Sequence, residues 1–144
     1  MNSHLISQIS VKALVFNENQ LLTLRVPSGV IDFPGGRVDE GEWYIPWGDA
    51  LRREVNEELG QDVRIKIGRT AFVSKRHYVH EGDLHNVAAI FFDCQYLGGD
   101  IELSNEHTSY KWIDSNSLLA GEHKFISDDE AEQLKKFLKD NRGK

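Results

Sequence analysis

Arg53-Glu54-Val55-Asn56-Glu57-Glu58-Leu59-Gly60 sets three carboxylates on one stripe of a short predicted helix and stops that helix with a glycine. Glu54, Glu57 and Glu58 are related by i, i+3 and i, i+4 steps, and the Glu54/Glu58 repulsion alone costs roughly 0.2–0.5 kcal/mol. Glu57 and Glu58 also occupy the last turn, where the negative end of the helix dipole disfavours anions. Breaking two local rules at once marks a functional site, and the simplest compensation is a hard divalent cation that takes oxygen ligands. Leu51, Val55 and Leu59 form the packing stripe beside the glutamates, so one face of the helix packs while the other faces a cleft. The periodicity predicts a helix over Ala50 to Leu59 with Asp49 as its N-cap.

The flanking sequence supplies a frame for this helix. Ile6 to Phe16 and Leu21 to Val26 alternate around Asn17-Glu18-Asn19-Gln20, the pattern of a β-hairpin. A glycine-rich segment, Phe33-Pro34-Gly35-Gly36-Arg37, leads into the loop before the helix. Val63 to Val73 and Val87 to Gln95 read as strands, the second apolar enough to lie centrally in a sheet, and Tyr110 to Ile113 as a short one. Ser127-Asp128-Asp129-Glu130 is a capping box, and Ala131, Leu134, Phe137 and Leu138 give the last helix its core stripe. Strands and helices follow no strict β-α-β rhythm, which predicts an α/β fold of the mixed kind, a mixed sheet flanked by helices.

The chain has 144 residues and is 40% hydrophobic, the size of one domain able to bury its own core, so a single domain over 1–144 is expected. Its 17 basic and 23 acidic residues give a net charge of −6, and no long basic run suggests an extended nucleic-acid or anionic-membrane surface. Phosphate must therefore be met locally. Cys94, the single cysteine, sits in an apolar run and reads as a small buried residue. No stretch reaches the roughly 18 apolar residues of a membrane span, and the start of the chain lacks the pattern of a secretory leader. A cytoplasmic protein is expected.

Gly36, Glu42 and Arg53 to Gly60 together resemble the signature of the Nudix hydrolases: Gly, five residues, Glu, seven residues, then Arg-Glu-aliphatic-x-Glu-Glu-x-Gly-aliphatic. The resemblance covers Gly36 to Gln61 and departs from the pattern twice. Ten residues, Trp43 to Arg52, stand where the family has seven, and Gln61 replaces an aliphatic residue. Glu42, which in the family mainly supports the helix and catalytic loop, is the position the longer loop affects. The resemblance implies an α/β/α sandwich, a Mg²⁺ (or Mn²⁺) cofactor, and hydrolysis of a diphosphate linkage in a nucleoside diphosphate derivative. It also implies that the Gly35 carbonyl with Glu54, Glu57 and Glu58 holds the metal, and that such proteins often form a homodimer.

The chemistry fits those residue types. Hydrolysis brings water to phosphorus while a phosphate leaves, and the anionic partners repel unless cations neutralise them. Carboxylates on a rigid helix fix the cation, and glycines in the facing loop let backbone approach it. Either Glu54 or the distal Glu106 orients or deprotonates the water. Glu106 reads equally well as an exposed loop acid. Arg53, one turn before Glu57, orients a carboxylate rather than touching substrate. Arg25 and Arg37 are candidate phosphate ligands. Tyr78 stands about where dinucleoside polyphosphate hydrolases of the family carry a base-stacking tyrosine. The aromatic stretch Trp43 to Gly48, with Trp47, either plugs a hole beside the helix, meets a partner subunit or forms a wall on which a flat group stacks.

Two substrate readings stand level, a (d)NTP and a dinucleoside polyphosphate. An ADP-ribose or nucleotide-sugar pyrophosphatase is the alternative, disfavoured because Pro27, Pro34 and Pro46 all precede the end of the signature. From another class, a non-catalytic nucleotide-binding module would bind without turnover, but it has no need of a like-charged cluster.

Overall fold

The computed structural model describes residues 3–141 as one mixed sheet with helices on both faces. The elements run β1 (Gln8–Asn17), β2 (Gln20–Arg25), β3 (Ile31–Asp32), β4 (Gly35–Arg37), a 3₁₀ turn (Glu40–Tyr44), α1 (Trp47–Leu59), β5 (Arg64–His80), β6 (Asp83–Gly98), β7 (Ser109–Asp114), α2 (Ser115–Ala120) and α3 (Asp128–Asn141). The sheet order is β3-β2-β1-β6-β5, with β4 on β1 and β7 on β2. Among the described strands β1 and β6 pair in parallel and the others antiparallel, and β6, with β1 on one side and β5 on the other, is interior to the sheet, as its continuous apolar run predicts.

Alternation along β1 divides the core in two. Val11, Ala13 and Val15 face Leu51, Val55 and Leu59 of α1, while Leu14 and Phe16 face Leu134, Phe137 and Leu138 of α3. That division produces the α/β/α layering. Cys94 is buried in the first cluster, and burial pushes its thiol up to about 12. No helix among the described residues is long and apolar enough to cross a membrane.

Three local expectations are corrected. Helix α1 starts at Trp47, a turn before the predicted Ala50. Its N-cap is Pro46, without a side-chain cap bond, and Asp49 sits in the first turn, where it favours the helix dipole. The early start follows from Trp47, whose indole packs against the α1 core cluster. Strands β5 and β6 extend far beyond the predicted Val73 and Val87, because Glu81 and Gly82, both at positive φ (51° and 82°), close a two-residue hairpin. The Ser127 capping box is half formed: Ser127 Oγ accepts from the Glu130 N–H at 3.1 Å, but the Glu130 side chain turns inward to Ser74 and Arg76.

Candidate active site

Register places the glycine pair. Strand β4 pairs antiparallel with β1, opposing Gly36 to Val11 and Gly35 to Lys12, and α1 crosses beside it. A Cβ on Gly35, at φ +139°, would collide with the Val11 carbonyl, and one on Gly36 would collide with the Glu54 carboxyl. At Gly35 only glycine permits this approach, while at Gly36 a side chain would displace the Glu54 carboxyl. The Gly35 N–H donates to Glu58 Oε1 at 3.1 Å. At the C-terminal end of α1 the unpaired carbonyls of Glu58 and Leu59 accept the N–H groups of Ser104 (2.9 Å) and Glu102 (2.8 Å). Satisfying those carbonyls folds the segment after β6 onto the helix end and brings Glu106 and His107 to Glu58.

Ligand atoms of Glu58, Glu106 and His107 lie within 4.8 Å of one another. Glu58 Oε2 and His107 Nδ1 are 3.5 Å apart, both buried and both without a hydrogen-bond partner. Burial raises the Glu58 carboxyl to about 7, against the pull of the Lys12 and His107 charges and the Gly35 N–H. Burial likewise raises Glu54, whose Oε1 lies 3.0 Å from Arg53 Nη2. Two carboxylates disfavoured as anions, with an unpartnered buried oxygen on Glu58 and an unpartnered nitrogen on His107, fit a divalent cation.

Glu57 points elsewhere. Its carboxylate is 56% exposed and paired with Arg53 Nη1. Arg53 also grips Glu42 with two bonds, Nη2 to Oε1 at 2.7 Å and Nε to Oε2 at 2.8 Å. That grip holds the Glu42 carboxyl below its ordinary value, and the Asp39 N–H assists at 3.0 Å. The longer loop thus leaves Glu42 bound to the helix it is expected to support.

Behind the cluster lies a buried chain of charges that the sequence reading missed. Lys12 Nζ is 3.3 Å from Asp32 Oδ1 and donates to the carbonyls of Phe33 (3.1 Å) and Gly35 (3.4 Å). Asp32 also meets Arg76 Nη2 at 3.2 Å and His107 Nε2 at 3.4 Å, and Arg76 continues to Glu130 at 2.6 Å. Burial alone would raise Asp32, but Lys12, the His107 hydrogen bond and Arg76 outweigh it and hold the carboxyl well below its usual range. The Asp32 hydrogen bond raises His107 in turn. The readable signal was a lone charge inside each apolar run, Val11-Lys12-Ala13 and Ile31-Asp32-Phe33, since buried charges survive only when paired.

These groups open onto a cleft of about 600 Å³, lined among others by Lys12, Arg37, Glu54, Glu58, Tyr78 and Glu106. Arg37 lays its guanidinium 4.4 Å from the centre of the Tyr78 ring, which also stacks on His85 at 4.9 Å. Four expected site residues stand apart from the cleft lining, the first of them Glu57, which pairs with Arg53 on the surface. Arg25 caps its own turn at Gly29 O (2.8 Å), Trp47 packs on the core, and Arg53 is occupied with carboxylates.

A family model described as NUDIX domain matches residues 7–137. Among solved structures the chain is similar to a MutT protein from Methanosarcina mazei, at 29% identity and TM-score 0.74, covering 94% of this chain and 96% of that one. An ADP-ribose pyrophosphatase from Streptococcus suis follows at 21% identity and TM-score 0.68, covering 95% and 93%, a likeness of fold. No curated protein matches the chain.

Proposed function

The chain belongs to the NUDIX domain family, enzymes that act on phosphoric anhydrides, and we propose that it is a Mg²⁺-dependent pyrophosphohydrolase cleaving the diphosphate linkage of a nucleoside diphosphate derivative, a (d)NTP or a dinucleoside polyphosphate. The observation that carries this reading is the unpartnered pair Glu58 Oε2 and His107 Nδ1 beside Glu106, buried at the floor of a cleft that also holds Glu54 and Arg37. A pure binding module gains nothing from a buried carboxyl raised to about 7.

Glu54, Glu58 and Glu106 would hold the cation with the Gly35 carbonyl, which keeps a second lone pair beside its bond from Lys12. Glu57 joins the set in this proposal, released from Arg53. When bound, the cation neutralises phosphate charge and acidifies water. The chain's own residues do the rest. Glu54 or Glu106 takes the proton from the attacking water, and burial has already made Glu54 a stronger base. Arg37 meets the phosphates. Lys12 and Arg76 are held by Asp32 and Glu130, whereas Arg37 has no carboxylate partner among the described residues. Release of phosphate, pyrophosphate or a mononucleotide from a panel of (d)NTPs, dinucleoside polyphosphates, ADP-ribose and nucleotide sugars tests the reading. Turnover of the first two classes that requires Mg²⁺ is expected, and none on any member would overturn it.

A further inference from the structure

A second cavity of about 610 Å³ adjoins the cleft, walled by Gln8 and Ile9 of β1, by Arg37 and Asp39, and by Trp43 and Tyr44 of the 3₁₀ turn. Its aromatic wall is left bare to solvent: Trp43 is 58% exposed and Tyr44 89%. Trp43 is nevertheless not loose, because its ring sits 5.5 Å from that of Trp47, which is half-buried against the core. Arg37 lines both cavities. Tyr78, beneath the Arg37 guanidinium, hydrogen-bonds through its hydroxyl to Gln8 Oε1 at 3.1 Å, so Arg37, Tyr78 and Gln8 form the partition between the two spaces.

We propose that this groove is the nucleobase subsite: the planar ring of the substrate stacks on Trp43 and Tyr44 while its phosphates cross Arg37 into the cleft. The inference rests on the nucleotide-hydrolase reading above and adds where the base lies. Three observations converge on a flat, uncharged ring joined to an anion. Exposed aromatics offer π faces that any base can use. The only route from groove to acid cluster that the shared wall marks passes a guanidinium without a carboxylate partner among the described residues. The residues that build the wall belong to the loop that is three residues longer than the signature requires. Tyr78 is already covered by Arg37 and His85, so the stacking role passes to Trp43 and Tyr44.

The test is binding of AMP and of ribose 5-phosphate to the full-length protein, read by calorimetry and tryptophan fluorescence, with no turnover required. AMP affinity is expected to fall roughly ten-fold in Trp43→Ala and in Tyr44→Ala. Ribose 5-phosphate affinity is expected to stay as in the unaltered chain. Tyr44 carries little packing, so its variant keeps the test sound if Trp43→Ala unfolds. Unchanged AMP affinity in Tyr44→Ala and in any folded Trp43 variant would overturn the subsite, whether or not Mg²⁺-dependent turnover persists. Dissociation of a dimer by Tyr44→Ala with AMP affinity intact would also overturn it, giving the wall to a second copy of the chain. AMP binding through Trp43 in a protein that hydrolyses no nucleotide would leave the subsite standing and remove the hydrolase.

Discussion

The two sides of one helix show what sets a carboxylate's role. Glu57 and Glu58 are consecutive on α1, yet Glu58 is 3% exposed and Glu57 carries a 56% exposed carboxylate. Glu58 accepts a backbone N–H and faces an imidazole nitrogen across a gap, and burial raises it to about 7. Glu57 sits in a surface network with Arg53, Glu42 and Asp39, where the one guanidinium is shared among the carboxylates. About 100° of helix rotation separates a buried carboxylate with an unpartnered oxygen from one that has an arginine. The outer side ties the helix to its loop, and the inner side is where the proposed chemistry falls.

The sharpest way to break that contrast is Glu58→Gln. It removes a proposed buried ligand, and turnover is expected to drop on the order of 10³-fold with the fold retained. Near-normal turnover would move the chemistry off the inner side. Next comes the stability of the metal-free protein against pH. The folded Glu58 holds its proton to about 7 against an ordinary 4.5, so the fold binds the proton more tightly than the unfolded chain. The contribution is fully present below about 4.5 and is lost as pH rises through about 7, roughly 3 kcal/mol in all. His107, also raised, acts in the same direction. Thermal unfolding followed from pH 4.5 to 8 should show the decline, and Glu58→Gln should lessen it, leaving the share of His107.

Glu57→Gln sharpens the comparison from the outer side. Loss of an exposed ion pair costs the fold little, about 0–1 kcal/mol, while turnover is expected to fall about 10²-fold if Glu57 leaves Arg53 for the metal. Unimpaired turnover would confine Glu57 to the surface network. The smallest effect belongs to Arg53→Lys, which keeps the charge and loses the two-pronged grip on Glu42. About a ten-fold loss of metal affinity is expected through looser placement of α1. Equal affinity in a titration of that variant would show that the network is dispensable.

Much of the inner side was legible. The glutamate spacing, the Gly60 stop and the glycine pair are local signals, and the helix ends where the sequence puts its stop, while its start lies three residues earlier and the glycine pair, expected in a loop, forms a short strand on β1. The charge chain was not legible, because each of Lys12, Asp32, Arg76 and Glu130 is explained only by a partner distant in sequence. Glu130 even carries a competing local reading as a capping residue, and tertiary burial overrode it. The distal ends of β5 and β6 were missed for a related reason: Arg76-His77-Tyr78-Val79-His80 is too polar to read as a strand until its hairpin partner is known. The aromatic stretch divided in two, Trp47 into the core and Trp43 to the surface, a split that only the helix start at Trp47 decides.

Calorimetric titration of the purified chain with Mn²⁺ and Mg²⁺ at pH 8 tests the inner site most directly. Saturable uptake is expected in the unaltered protein, together with its loss in Glu58→Gln and its marked weakening in Glu106→Gln. Uptake that survives Glu58→Gln undiminished, or no uptake at all, would contradict a cation site at the buried end of α1.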